Sequence, residues 1–167
     1  MLRDTITASG GTGINGTSGT SGTSGAGSPI YIDSTSGDVY YYDATRSKNL
    51  GVAIIQQDVG RGRPVVTDQY LRGEGDNPTN LNGFVLPWDA TLISITMSGK
   101  SNTQTWTAEV RKNGGGITQD NLSITNQYSN YDDTKNTDFS AGDRIMIYCS
   151  GSSIEYPRVT LFFRRRF

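Results

Sequence analysis

With 167 residues the chain suits one compact domain plus appendages. Its low apolar share and its wealth of glycine, tyrosine, threonine, serine and asparagine mark a β-rich protein, and a formal net charge of -1 excludes electrostatic attraction to nucleic acid or membrane as the basis of function. The lack of histidine excludes His-based triads and most zinc centres, and the single cysteine, Cys149, excludes an internal disulfide.

The N-terminal segment Thr5-Ile6-Thr7 alternates and suits a strand added to a neighbouring sheet edge. It does not read as a signal peptide, and no apolar run approaches transmembrane length, so an unaided secretory route is not expected. From Gly10 glycine recurs at every third position, through Gly13, Gly16, Gly19, Gly22 and Gly25. That period is the requirement of three extended chains wound about one axis, where only glycine fits. It is equally compatible with a single extended arm pinned on another protein, and Gly/Ser/Thr runs also serve as linkers. At about 3.1 Å per residue the stretch from Gly10 to Gly27 spans roughly 55 Å.

Two β-prone runs, Ile30-Tyr31-Ile32 and Val39-Tyr40-Tyr41-Tyr42, flank a turn-rich segment from Asp33 to Asp38 and predict a hairpin. Three consecutive tyrosines point to both faces of a strand, which suggests burial between chains, or else a platform for sugars. Gly51 to Val59 reads as a short apolar strand. Gly60-Arg61-Gly62-Arg63-Pro64 reads as a basic turn, since it lacks the spacing and lysine of a phosphate loop.

From Val65 onward strands and turns alternate. Strands are expected at 65–67, 69–71, 83–87, 90–98, 105–112, 121–125, 144–149 and 159–163, with 73–78 as a loop and 128–137 as a loop or weak strand. Ile93, Ile95 and Met97 share a face, as do Trp106, Ala108 and Val110. Asn113-Gly114 is a turn, and the strand from Arg144 to Cys149, apolar on both faces, is expected at the centre of a sheet. No window has helical period. The pattern predicts an all-β, antiparallel two-sheet sandwich of jelly-roll type. The expected domains are an arm over 1–27, a hairpin and connector over 28–64 and a head over 65–167.

The segments Asn82-Gly83-Phe84-Val85-Leu86-Pro87-Trp88-Asp89-Ala90-Thr91, Thr107 to Gly114, Phe139 to Ile145 and Val159 to Arg164 together resemble the C1q/TNF-like head domains of bacteriophage structural proteins. Ser28 to Leu50 is similar to a segment of phage fibre and decoration proteins. The chain departs from the head pattern at Ala90, where glycine is usual. The resemblance implies a jelly-roll homotrimer with a collagen-like or extended front part, mounted on a virion, and it carries no catalytic residues. Under it, Gly10, Gly13, Gly16, Gly19, Gly22, Gly25, Ile6, Tyr40, Tyr41, Tyr42 and Trp88 are the candidate subunit or capsid-arm contacts.

No enzyme chemistry and no cofactor or metal is expected. Cys149 reads as a core thiol and Trp106 as core. Asp132, Asp133, Asp138 and Asp143 read as solvated turn acids, although oxygen-rich turns also hold calcium. Arg164-Arg165-Arg166 reads as a solvated end, or as a basic patch for an acidic capsid surface. The leading expectation is a capsid decoration, or cement, protein with the major capsid protein as partner. A short fibre binding a host surface glycan, through loops at Asn102, Asn113 and Tyr128 to Asp133, is the other.

Overall fold

Apolar–polar alternation becomes strand wherever the computed structural model describes the chain, at residues 3–6 (backbone), 30–33, 35, 37–62, 68–71, 83–152 and 154–167. Among these residues every regular element is a strand: β1 (Arg3–Ile6), β2 (Ile30–Asp33), β3 (Val39–Asp43), β4 (Lys48–Gly60), β5 (Gln69–Tyr70), β6 (Phe84–Val85), β7 (Ala90–Ser98), β8 (Thr105–Lys112), β9 (Thr118–Thr125), β10 (Ser129–Asp132), β11 (Thr137–Phe139), β12 (Arg144–Ser152) and β13 (Arg158–Arg166). The chain divides into two units, Met1–Ile54 with Arg164–Phe167, and Ile55–Phe163. The expected glycine arm, the strand at 65–67, the loop at 73–78 and the domain boundaries after 27 and 64 lie outside the described residues.

In the first unit β1, β2, β3 and the start of β4 pair in that order, all antiparallel. The β2–β3 hairpin forms as expected. The Asp33 carboxylate accepts the Thr35 N–H at 2.8 Å, and Asp33 N–H donates to Asp38 C=O at 2.9 Å, which closes the turn. The next turn is held the same way, with Asp43 accepting the Arg46 backbone N–H at 3.1 Å and its guanidinium at 2.8 Å. Burial raises the Asp43 pKa, but the hydrogen bonds and charge of Arg46 outweigh it and hold the carboxyl below its ordinary value.

Two expectations change here. The apolar strand at 51–59 is longer than expected, and Val52, Ala53 and Ile54 within it are exposed. The arginines 164–166 are not a loose end, because β13 runs through Arg166. Arg165 pairs with Asp38, and Arg164 stacks over Tyr41 with its guanidinium 5.1 Å from the ring centre and donates to Gly51 C=O at 3.3 Å.

In the second unit one sheet orders the remainder of β4, then β13, β7 and β10, with β11 also on β7. The other orders β5, β12, β8 and β9, with β6 also on β12. The two sheets share one core. Leu92, Ile95, Met97, Val159, Leu161 and Phe163 enter it from the first, and Trp106, Ala108, Val110, Ile124, Ile145, Ile147 and Cys149 from the second. Phe163 anchors the middle, with Phe84 and Phe139 edge-on at 5.6 and 5.8 Å. The two-residue alternation in β8 and β13 therefore buries the expected side chains, and β12 lies inside its sheet because both its faces are apolar. The expected loop or weak strand at 128–137 resolves into β10 and the first residue of β11.

Candidate functional site

Two surfaces stand out, one in each unit. In the first unit the pairing register sets the faces. Tyr40 lies opposite Gly51 and Tyr31, and Tyr41 lies opposite Leu50 and Ile30. Tyr31, Tyr40 and Phe167 stack on one face at 5.3 and 4.6 Å, so Tyr40 is covered from within its own chain. The glycine at 51 makes room for this packing, since a Cβ there would sit 3.3 Å from Arg165 Cβ and 3.4 Å from the Phe167 ring. Alternation puts Ile30, Ile32, Val39, Tyr41, Leu50, Val52 and Ile54 on the opposite face. Leu50 is buried, but Val52 is 49% exposed, Ile54 50% and Ile30 37%. Three exposed aliphatic side chains on one sheet face make it a candidate for cover by a partner. Ile6 holds the register position opposite Ile30, and Tyr42 is exposed on the tyrosine face.

The second surface is a shallow depression of about 320 Å³ on the outer face of β13, β7 and β10. Inward alternation of Ile95 and Met97 turns Thr96 and Ser98 outward. The register sets Ser129 against Ser98 and Tyr131 against Thr96, so two hydroxyl pairs lie side by side. On the other side of β7, inward Val159 and Leu161 turn Arg158 and Thr160 toward the same depression. Tyr131 is 69% exposed. The Thr160 hydroxyl donates to Asp58 of β4. Asn130, whose amide donates to Ser123 C=O at 2.7 Å, closes the end near β9. Of the loops read as glycan contacts, Tyr128 to Asp133 supplies this depression. Asn113 instead belongs to a structural turn, and Asn102 does not line it.

The chain matches no family model, no curated protein and no solved structure.

The remaining polar clusters tie strands and turns together; of the acids expected to be solvated, Asp133 and Asp138 are exposed and Asp132 is half-buried, whereas Asp143 is buried. Asp143 is buried and accepts Ser140 N–H at 2.9 Å, the Asn113 amide at 2.7 Å and Lys112 Nζ at 3.4 Å. Burial pushes its pKa up, but these donors prevail and hold it below the ordinary value. Asp138 accepts the Thr91 hydroxyl at 2.7 Å, and Lys135 bridges Asp120 and Asp132 at 2.9 and 3.0 Å. Glu109, on the outer face of the second sheet, receives Arg111, Thr118 and Ser150, while the Arg111 guanidinium lies 3.7 Å from the Tyr148 ring centre. Arg111 and Thr118 donate to one Glu109 oxygen and Ser150 to the other, which suits a brace between β8, β9 and β12. Among the described residues no group of three His, Cys, Asp or Glu converges as metal ligands. Cys149 is fully buried, and burial pushes its thiol pKa up, which makes it inert. Trp88 packs, partly buried, against the core of the second unit.

The glycine positions Gly10, Gly13, Gly16, Gly19, Gly22 and Gly25 lie outside the described residues. The exposed aliphatic face was missed in the sequence because an apolar strand reads the same whether its cover is its own chain or another. The depression was half-legible, through Tyr128 to Asp133. Its Arg158 side depends on a pairing between distant strands.

Proposed function

We propose that the chain is a homotrimeric viral structural protein, a capsid decoration protein that binds and stabilises a phage head. In this reading the second unit is a jelly roll of C1q/TNF-like connectivity and the glycine run is the collagen-like or extended front part. The observation that carries it is the exposed face of Ile30, Val52 and Ile54. A second and third copy of the chain would cover that face. The Gly-X-Y period favours three extended chains on one axis, and the run ends only a few residues before Ile30, so three copies of this sheet would start close together. Tyr41 extends the same contact, and the major capsid protein is the outer partner. Many small contacts repeated by symmetry would then hold the particle.

Sedimentation velocity at micromolar concentration tests the trimer. A trimer that Ile54→Lys converts to monomer is expected, and a monodisperse wild-type monomer would overturn the reading. Heating phage heads stripped of their decoration, with and without the protein, tests the role. Restored heat resistance is expected. Adsorption to host cells with no effect on heads would instead identify a fibre.

A further inference from the structure

We propose that the depression on the outer face of the second unit binds a carboxylated saccharide. The proposal stands apart from subunit number and from the decoration role. Its first support is Tyr131, which stands out from β10 at 69% exposure beside Thr96 of β7. An exposed aromatic face beside a concave polar surface suits the flat C–H face of a sugar ring. Its second support is the lining. Thr96, Ser98, Ser129 and Thr160 are all hydroxyl bearers, and a hydroxyl both donates and accepts, as a polyol demands of its partners.

The third support is charge. Arg158 projects into the depression, and among the described residues no ion pair engages its guanidinium. A guanidinium fork recognises a planar carboxylate in two parallel hydrogen bonds, which separates acidic from neutral sugars. Asp58 sits on the far side of Thr160, on β4, and accepts that hydroxyl, which leaves the Thr160 oxygen free to accept from a sugar hydroxyl. The volume, about 320 Å³, lies at the lower end of the roughly 300–1,000 Å³ usual for small-molecule sites. The site therefore fits a terminal or single acidic residue of a larger glycan.

Isothermal titration of the full chain with sialyllactose, trigalacturonate and, as neutral control, lactose tests the proposal. Binding of at least one acidic probe, with lactose at least ten-fold weaker, is expected. Tyr131→Ala and Arg158→Gln should each weaken the acidic probe ten-fold or more, and circular dichroism should show both variants folded, since both side chains are exposed. No binding of either acidic probe overturns the site. Equal binding of lactose, or Arg158→Gln binding like wild type, overturns the carboxylate assignment. Tyr131→Ala binding like wild type overturns the location.

Discussion

Replacing Gly151 by alanine should damage this protein far more than the same change at Gly142, although both glycines have a positive φ. Gly151 lies in β12 opposite Trp106 of β8, with φ +135°. A Cβ there would fall 2.6 Å from Thr105 O, 2.7 Å from Trp106 Cα and 2.9 Å from Trp106 Cβ. Two of those three atoms are backbone at the start of β8, paired to β12, so they cannot rotate aside. The backbone region costs an L-residue about 1–3 kcal/mol, and forced overpacking adds about 1–3 kcal/mol. Gly142, at φ +86° in the turn before β12, has nothing within 4 Å of its missing Cβ, so its alanine carries only the conformational cost of about 1–2 kcal/mol. For a chain of this size about 1 kcal/mol moves Tm by roughly 2–4 °C. Gly151→Ala should therefore lower Tm by about 12 °C at the middle of a range of roughly 4–24 °C, and Gly142→Ala by roughly 2–8 °C. Urea unfolding followed by tryptophan fluorescence, with thermal melts by circular dichroism, measures both. Failure of Gly151→Ala to fold, beside a folded Gly142→Ala, marks the upper end of the range. Equal losses, or a Gly151→Ala variant within about 1 kcal/mol of wild type, would refute the steric reasoning.

Acid should weaken the fold in a defined window. Hydrogen bonds from the Thr134 hydroxyl and N–H, helped by Lys135 against the opposing effect of burial, hold the Asp132 carboxyl at about 2 instead of 3.8. Its folded value is depressed, so its stabilisation is complete above 3.8 and is lost as pH falls through about 2. Thr134→Val should raise the Asp132 pKa in an NMR titration and flatten the urea midpoint between those pH values. Arg111→Ala should cost about 1–3 kcal/mol, because it strips a charged hydrogen-bond donor from half-buried Glu109 and the cover from Tyr148. Denaturant unfolding measures that cost, and NMR should show the Glu109 pKa rising from its lowered position. Leu161→Ala, at a fully buried site between the sheets, should cost about 2–5 kcal/mol in the same assay. Cys149 should resist a thiol reagent in the native protein and react at the rate of unfolding, and fast native labelling would contradict its burial.

Most strand positions and inward faces were legible from the chain alone because both are local; in β7, Leu92 rather than the expected Ile93 enters the core beside Ile95 and Met97. Trp106, Ala108 and Val110 alternate with polar neighbours, and a strand sends successive side chains to opposite sides whatever it pairs with. The Asp33–Asp38 turn and Asn113-Gly114 were legible for the same reason, since a few residues suffice to set a turn. Only the tertiary structure could decide which strands lie together. Thr160 and Arg158 meet Thr96 and Tyr131 across β13, β7 and β10 through pairings between residues far apart in sequence, and no local pattern encodes such neighbours. It also decided that Val52 and Ile54 face water while Leu50, on the same face of the same strand, does not. Alternation assigns a side chain to a face, but what covers that face depends on the packing of the rest of the molecule.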